Sequence, residues 1–284
     1  MGRDKKKYYH NYIMASKASV IIPCYNQGKY INECIESVLN SSHTKIEIIV
    51  VNDGSTDSYT NELLKTQTWP KTQIYNISNQ GVSFARNFGI KKSLGRYILL
   101  LDADDKISKN YLKDSVKVLN EKPEVKIVCC DVELFGSKTG KYSLPEHSIE
   151  MLLAQNTMVV SSMFRRSGFD ETKGFNINMS SGFEDWDFWL TLLETGGDVV
   201  KLDYTGFYYR ILRRSRNSSI NNEQFRRLRR QIFDNHKELY SKHFFDPTKS
   251  FEYARIQNSK EYKVGKVILK PVRYLFNLLI ELGT

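Results

Sequence analysis

The sequence predicts an α/β protein in which a Rossmann-like, mostly parallel central sheet is flanked by helices and followed by a C-terminal helical extension. Over the first 135 residues, short apolar runs alternate with stretches whose apolar positions recur at helical spacing. One run, Ile46–Val51, is unbroken and β-branched, as expected for a strand that is covered on both faces. Strand–helix alternation with short connections favours a mostly parallel sheet.

The individual elements follow in chain order from these runs and from helix caps. The predicted strands are Ala18–Ile22, Ile46–Val51, Gln73–Ile77, Tyr97–Leu101 and Val125–Cys130. The predicted helices are Tyr30–Leu39, Thr56 or Asp57 to Lys65, Gly81–Leu94, Ser108 to Leu119, Ser181 to Thr195, Asn221–His243 and Lys260–Leu282. Because ligands of such sheets bind beyond the carboxyl ends of the strands, the polar residues that follow each strand are the candidates for a site.

The charge of the chain is distributed unevenly. The 284 residues are 40% hydrophobic and 26% charged, which is not typical of a disordered chain. Residues 1–204 carry as many basic as acidic residues, whereas residues 205–284 carry 17 Lys and Arg against 7 Asp and Glu, an excess equal to the whole net charge of +10. We therefore predict an N-terminal extension (1–17), a neutral catalytic domain (18–220) and a basic helical region (221–284).

The cysteines and the start of the chain indicate a cytoplasmic protein. The sequence has no 18-residue apolar run and does not show the pattern of a secretory signal. Its four cysteines, Cys24, Cys34, Cys129 and Cys130, have no CxxC spacing, and free thiols are typical of a reducing compartment.

The last predicted helix combines apolar and basic residues. Its apolar residues near one helical face are Val264, Val267, Ile268, Leu275, Phe276, Leu279 and Leu282. The basic residues among them are Lys260, Lys263, Lys266, Lys270 and Arg273. This composition is typical of a helix that lies on an anionic membrane, so we expect a peripheral protein at a membrane surface. The alternative is a terminal helix packed on the catalytic domain with a solvated basic face. No nucleic-acid-binding motif is present, and we expect no nucleic-acid partner.

Acidic residues follow two of the predicted strands. Asp53 follows the second strand, where a carboxylate can accept hydrogen bonds from a base or a ribose; Gly54 lets the backbone turn close to a ligand, although the same stretch is also good turn and helix-cap chemistry. Asp102, Asp104 and Asp105 follow the fourth strand, and carboxylates so close together repel one another unless a cation lies among them. Mg²⁺ or Mn²⁺ prefers such oxygen ligands and is the predicted cofactor.

Two further charged groups are candidates for the same site. Arg86, on the helix before the fourth strand, is within reach of a phosphate, or else is a solvated helix arginine. Glu184 and Asp185 lie at the start of a helix, where Ser181 and Glu184 fit a capping box. A general base for a hydroxyl must also be a firmly held carboxylate. Both roles are compatible if Glu184 is partly structural and Asp185 faces the site.

These motifs, in this order, resemble the inverting glycosyltransferases of family 2, of the bacterial cell-surface polysaccharide type, which have the GT-A fold. The matching segments are Ser19–Asn26, Val51–Asp57, Gly81–Asn87, Gly95–Asp105 and Phe183–Trp186. The resemblance extends over about residues 18–212, and five matches in one order are more specific than any single motif.

The resemblance implies a role for each candidate residue. Those expected to hold the nucleobase and ribose are Pro23, Tyr25, Asn26 and Asp53. Asp102 is expected near the ribose and the metal, and Asp104 as the main metal ligand. Asp185 is the expected catalytic base, and Glu184 is expected to help position the acceptor.

One segment departs from the family pattern. Many relatives have a histidine- or arginine-containing loop after the base, whereas Tyr209–Arg216 contains arginines and no histidine. Because arginine pairs with phosphate through two hydrogen bonds, Arg210 or Arg213 is expected to contact the diphosphate.

The implied activity is metal-dependent transfer of a hexosyl or N-acetylhexosaminyl group, with inversion, from a UDP-sugar to a hydroxyl of a glycan or lipid-linked acceptor. Two alternatives stay open. One is a nucleotidyltransferase, which also uses Asp-bound metals, and the other is a catalytically inactive protein that binds nucleotide sugars or membranes.

Overall fold

The computed structural model of the protein describes residues 17–212, 221–244 and 250–281. Most of the predicted N-terminal extension, and Arg213, lie outside these residues. The strands are β1 (Ala18–Cys24), β2 (Ile46–Asp53), β3 (Thr72–Ile77), β4 (Tyr97–Leu100), β5 (Lys106–Ile107), β6 (Val125–Gly136), β7 (Gly140–Tyr142), β8 (Met163–Arg165) and β9 (Asp198–Ile211).

The helices alternate with these strands and then follow them. They are α1 (Gly28–Leu39), α2 (Ser58–Thr66), α3 (Val82–Lys92), α4 (Tyr111–Glu121), α5 (Ile149–Ala154), α6 (Arg166–Asp170), α7 (Glu184–Leu193), α8 (Asn222–Asn235), α9 (Lys237–His243), α10 (Phe251–Asn258) and α11 (Lys260–Glu281).

The described strands form one sheet in the order β3-β2-β1-β4-β8-β6-β9-β5, with β7 paired to β6. Strand β1 is parallel to β2 and β4, and β2 is parallel to β3. The short strand β8, which was not predicted, is antiparallel to both β4 and β6. The parallel part predicted from the sequence is therefore β3-β2-β1-β4, and the sheet becomes mixed beyond β4.

Helices cover the parallel strands on both faces. Every residue of β1 and β2 is buried, which accounts for their unbroken apolar runs. On one face, α1 packs with buried residues at helical spacing such as Ile31 and Ile35. On the other face, α3 approaches so closely that a Cβ on Gly89 would lie 2.4 Å from Cγ2 of Ile21. This packing fixes the carboxyl ends of β1, β2 and β4 side by side.

One predicted helix start is wrong. Helix α4 begins at Tyr111 with Asn110 as its N-cap, so Ser108 does not cap it. The Ser108 N–H instead donates to the Gly206 carbonyl at 2.9 Å, because the chain there pairs with β9. A long-range backbone contact thus overrides the local cap signal.

The described residues form two compact units. The first contains the residues up to His147 and from Thr157 to His236, and thus the whole sheet and helix α8, which lies beyond the predicted domain end at residue 220. The second contains residues 148–156 and those from Lys237 onward. In the second unit, the Tyr240 hydroxyl donates to the Leu153 carbonyl at 2.6 Å, which joins α9 to α5.

The C-terminal helices differ in detail from the prediction. The predicted helix Asn221–His243 is divided at His236 into α8 and α9, and α10 is an additional helix. Helix α11 matches the predicted last helix and continues through Pro271. Among the described helices, none has both the length and the apolar character needed to cross a membrane.

Candidate active site

A pocket of about 440 Å³ lies at the carboxyl ends of β1, β2 and β4. This is where ligands of open α/β sheets bind. The predicted site residues that line it are Pro23, Tyr25, Asp53, Arg86, Asp102, Asp104, Glu184 and Arg210. Residues from distant parts of the sequence therefore meet at one place.

Asn26 joins the loops that follow β1 and β2. Its backbone has a φ of 56°, a left-handed conformation that asparagine tolerates. Its Oδ1 accepts the N–H groups of Thr56 and Asp57 at 2.8 and 2.9 Å. Asn26 is not among the lining residues, so its contact with a nucleobase stays a prediction. The neighbouring Tyr25 lines the pocket and is 46% exposed, which leaves its ring accessible for stacking on a base.

Asp53 is buried at the end of β2 and holds the loop before α3. Its two carboxylate oxygens accept the N–H groups of Gln80 and Gly81 at 2.8 and 2.9 Å. The turn after it requires a glycine, because Gly54 has a φ of 65° and a Cβ there would lie 2.5 Å from the Asn79 nitrogen. A carboxylate oxygen has more than one lone pair, so these bonds leave Asp53 able to accept a further one from a ligand.

Asp102, Asp104 and Asp105 form an acidic turn between β4 and β5. The turn is closed by the Asp105 N–H, which donates to the Asp102 carbonyl at 3.0 Å. Burial, and then repulsion by Asp102, raises the pKa of Asp104 to about 6. Asp105 is buried, and burial followed by the charge of Asp104 raises its pKa well above the usual value. The turn therefore concentrates negative charge that a bound cation would relieve.

Arg210 of β9 supports the acidic turn. Its backbone N–H donates to Oδ1 of Asp105 at 2.7 Å, and its Nε donates to the Asp104 carbonyl at 2.7 Å. Its Nη2 forms an ion pair with Glu33 of α1. Since these bonds tie Arg210 to protein groups, the structure gives it a role in holding the turn. Its contact with a diphosphate, like that of Arg213, stays a prediction.

Arg86 of α3 connects the acidic turn to the start of α7. Its Nη2 lies 2.9 Å from Oδ1 of Asp102, and its Nη1 lies 3.0 Å from Oε1 of Glu184. The side chain is only 3% exposed, so the alternative of a solvated helix arginine is wrong. Burial opposes the charge of Arg86, but the two carboxylates outweigh burial and raise its pKa. Its contact with a phosphate stays a prediction.

Helix α7 begins one residue after an unusual backbone conformation. Its N-cap is Phe183, which has a φ of 62°, in the left-handed region that non-glycine residues rarely adopt. Ser181 is therefore not the N-cap, and the capping-box interpretation is wrong. Oε1 of Glu184 is turned toward Arg86 instead, because the buried guanidinium needs a charged partner.

Asp185 follows Glu184 and is half-buried beside the pocket. Its Oδ1 accepts the Trp186 N–H at 2.8 Å, which orients the carboxylate. Burial, and then the charge of Glu184, raises the pKa of Asp185. Asp185 is not itself among the residues that line the pocket. A carboxylate with a raised pKa suits a general base, since its affinity for a proton is closer to that needed near neutral pH.

The acidic turn fits a metal ion that is shared with a diphosphate. In the described parts of the chain, no group of three or more His, Cys, Asp or Glu side chains is arranged to hold a metal ion alone. Mg²⁺ is commonly held by one or two carboxylates and completes its coordination with substrate phosphates and water. Asp102 and Asp104 both line the pocket, and Oδ2 of the adjacent Asp105 is buried without a hydrogen-bond partner.

Several residues of the pocket were not predicted. Asn79 and Gly81 follow β3, and the rule that sites lie at strand ends would have identified them. Gln27 and Tyr209 also line the pocket, and Glu33 holds Arg210. Tyr209 enters through the pairing of β9 with β6, which leaves no local signal in the sequence.

The family of the chain follows from a sequence comparison. The sequence model described as glycosyl transferase family 2 matches residues 19–194, more than half of the chain. The chain belongs to glycosyl transferase family 2. The match includes the acidic turn, Arg86 and the start of α7 and ends before β9, so Arg210 lies outside it.

The names of two curated relatives indicate roles in polysaccharide synthesis. The minor teichoic acid biosynthesis protein GgaB of Bacillus subtilis (strain 168) is 37% identical over 133 residues, which cover 44% of this chain and 15% of GgaB. The chondroitin synthase of Escherichia coli is 31% identical over 188 residues, which cover 63% of this chain and 26% of the synthase. The chain thus spans a minor part of each relative.

A solved structure has the same fold. TarS 1-349 of S. aureus, in complex with UDP-GlcNAc, matches with a TM-score of 0.65 and 23% sequence identity over 87% of this protein and 77% of TarS 1-349. This likeness confirms the GT-A fold expected from the sequence.

Proposed function

We propose that the protein transfers a hexosyl or N-acetylhexosaminyl group from a UDP-sugar to a hydroxyl of a glycan or lipid-linked acceptor, with inversion at the anomeric carbon, in the synthesis of a cell-surface polysaccharide or glycoconjugate. The observation that carries the proposal is the bridge from Asp102 through Arg86 to Glu184. This bridge joins the acidic turn, which suits a metal ion and a diphosphate, to a helix that begins with two carboxylates. Family membership and the complex of TarS with UDP-GlcNAc support the choice of donor.

The donor site is assigned to the strand ends. The exposed ring of Tyr25 stacks on the base, and Asp53 accepts a hydrogen bond from the base or ribose. Asp104 and Asp102 would hold Mg²⁺ or Mn²⁺, which when bound supplies positive charge against the departing diphosphate. Arg210 keeps the acidic turn in place through the Asp104 carbonyl and the Asp105 carboxylate.

The transfer is a single displacement. The acceptor oxygen forms a bond to the anomeric carbon as the bond from that carbon to the diphosphate oxygen breaks, and the nucleoside diphosphate leaves on the opposite face. The carboxylate of Asp185 takes the proton of the acceptor hydroxyl. No covalent sugar–enzyme intermediate is needed, because attack and departure occur in one step.

Donor turnover tests the proposal. Release of UDP from a panel of UDP-sugars should require Mg²⁺ or Mn²⁺, stop on chelation and resume when the metal is restored. Asp104→Asn and Asp185→Asn should each lower kcat by at least about 100-fold, the usual contribution of a positioned proton acceptor or charge-stabilising group. Asp203→Asn, at an exposed position on β9, is the matched control and should keep full activity.

The outcomes also separate the alternatives. Full activity of both site variants would show that these residues are assigned wrongly. Release of pyrophosphate instead of UDP would identify a nucleotidyltransferase. Tight UDP-sugar binding without turnover would identify an inactive binding protein.

We also propose that the second compact unit attaches the enzyme to an anionic membrane surface at the cytoplasmic face. In α11, Val264, Val267 and Ile268 are between 56% and 72% exposed, and lysines occupy another side of the helix. An exposed apolar face with adjacent lysines suits insertion at the level of anionic headgroups. Such attachment would bring the enzyme to a lipid-linked acceptor.

A further inference from the structure

Helix α8 carries a cluster of arginines, in the same compact unit as the pocket. The four members of this arginine cluster are Arg226, Arg227, Arg229 and Arg230. The helix is anchored by Leu228 and Ile232, which are buried. The arginines flank this buried stripe, and Arg226, Arg227 and Arg230 are exposed.

Two arginines of the cluster contact residues near Asp185 in the chain, namely Ser181, four positions before it, and Trp186, directly after it. Nη2 of Arg227 lies 3.5 Å from Oγ of Ser181, and the guanidinium carbon of Arg229 lies 5.1 Å from the ring centroid of Trp186. The side-chain amide of Gln224 also reaches the Ser181 carbonyl, at 3.5 Å. Helix α8 therefore lies against the segment from which the base projects.

The charge of the cluster is only partly neutralised within the protein. Arg230 forms an ion pair with Asp234 at 3.0 Å. Arg226 and Arg227 are exposed, and no carboxylate of the described residues is within ion-pair distance of either. The donor diphosphate is assigned to the acidic turn, so positive charge at the base side of the site is available for the other substrate.

We propose that the arginine cluster binds an anionic group of the acceptor, a phosphate or a carboxylate, close to the hydroxyl that attacks the donor. This inference rests on the proposed function, because it names the acceptor class of the same site. A guanidinium group forms paired, charge-assisted hydrogen bonds with either anion. The acceptor is therefore a phosphodiester-linked polymer or a glycan that contains uronic acid, rather than a neutral glycan.

Binding of defined oligomers to the full-length protein tests this inference. The probes are a glycerol phosphate oligomer, a hyaluronan oligosaccharide and a neutral maltooligosaccharide of similar length, each titrated by calorimetry. The protein should bind one of the anionic oligomers, whose identity distinguishes phosphate from carboxylate, and should not bind the neutral one. Arg227→Gln/Arg229→Gln should weaken that binding at least about tenfold, since two charge-assisted contacts are lost.

Three variants make the result specific. Arg227→Gln alone should show part of the loss and leaves the contact of Arg229 with Trp186 intact. Arg227→Lys/Arg229→Lys should retain a large part of the binding, because it keeps the charge. Lys113→Gln/Lys117→Gln, which removes the same charge from the exposed side of α4, should bind as the unchanged protein does.

The opposite results overturn the inference. The inference is wrong if neither anionic oligomer binds, or if the neutral oligomer binds as tightly as an anionic one. It is also wrong if the α4 control weakens oligomer binding as much as Arg227→Gln/Arg229→Gln does, or if the latter weakens binding to anionic lipid vesicles and not to the oligomers. Donor hydrolysis by the unchanged protein, measured without acceptor, tests the proposed function separately, because oligomer binding does not require turnover.

Discussion

At the scale of single residues, the site depends on a few buried charges that neutralise one another. Arg86 is the centre of this arrangement, since it is almost fully buried and bonded to carboxylates from the acidic turn and from α7. Asp185 is the opposite case, because a carboxylate that is partly removed from water beside Glu184 holds its proton more tightly. The neighbours of Arg86 favour its charged form, whereas those of Asp185 favour its protonated form.

Replacing Arg86 by methionine should destabilise the fold. The two carboxylates would be left near the pocket without their cation, and breaking a buried ion pair costs about 3–5 kcal/mol. Chemical denaturation of Arg86→Met measures the loss in unfolding free energy, and Lys91→Met, at an exposed position of the same helix, is the control. A loss no larger than that of the control would contradict the bridging role.

The activity should depend on pH through Asp185. Its pKa is raised to about 6, so kcat/KM should rise with pH through that region as the base becomes ionised. A raised carboxyl pKa also means that the folded state binds the proton of Asp185 more tightly than the unfolded state does. The resulting contribution to the unfolding free energy is fully present below the unfolded pKa of about 3.9 and is lost as pH rises through the folded pKa. Asp185→Asn should therefore abolish turnover while keeping or increasing the unfolding free energy at alkaline pH. A variant that is both inactive and less stable than the unchanged protein would indicate a structural carboxylate.

At the scale of elements, α7 is held at both ends by the end of α8. Nε2 of the buried His236 lies 3.2 Å from Oδ1 of Asp187, and its Nδ1 lies 2.7 Å from Oε1 of Glu194. The Asn235 side chain donates to the same Asp187 oxygen at 2.7 Å. Burial opposes a charge on His236, but the two carboxylates outweigh burial and raise its pKa. Helix α7, which carries Asp185, is therefore fixed by an imidazole ring that has a carboxylate beside each nitrogen.

This contact predicts a pH-dependent stability. Because the folded state raises the pKa of His236, its protonation contributes to the unfolding free energy. This contribution is complete below the unfolded pKa of about 6.5 and is lost as pH rises through the folded pKa. His236→Gln should lower the unfolding free energy by about 3 kcal/mol near pH 6, which is the cost of breaking a buried ion pair. The loss should be smaller near pH 9, where the imidazole carries less charge. Urea denaturation at both pH values measures this, with His243→Gln as the control. An equal loss at both pH values would mean that the charge of His236 is unimportant.

The exposed face of α11 predicts membrane binding. Val267→Gln/Ile268→Gln should lower the affinity for anionic vesicles, measured by co-sedimentation, at least about tenfold, because two apolar side chains no longer enter the apolar layer. Tyr59→Gln/Leu94→Gln removes exposed apolar side chains from the first unit and should leave binding unchanged. If both double variants bind equally well, α11 is not the attachment site.

At the scale of the whole molecule, the sequence predicts site residues that follow directly from neighbouring residues, but not contacts between residues that are far apart in the chain. Asp53, Asp102 and Asp104 were predicted because each follows an apolar strand, and such ends share one edge. The ion pair of Arg210 with Glu33 joins residues 177 positions apart, and no periodicity reports it. The cap at Ser181 was predicted wrongly because the buried Arg86 competes for Glu184, a partner that becomes visible only once α3 and α7 are adjacent.

The position of β8 has a consequence for how the chain is made. Strands β1 to β4 succeed one another along the chain and make up the parallel half of the sheet, so this half is synthesised before β8. Strand β6 reaches that half only through β8, which is translated later, and until then β4 is an open edge that invites pairing with other chains. Helix α7 follows β8 in the chain. Strand β8 therefore becomes available to cover the edge of β4 before the helix that carries Asp185 is translated, and a ribosome stalled before β8 would leave the parallel half with an open edge that is exposed to misassembly.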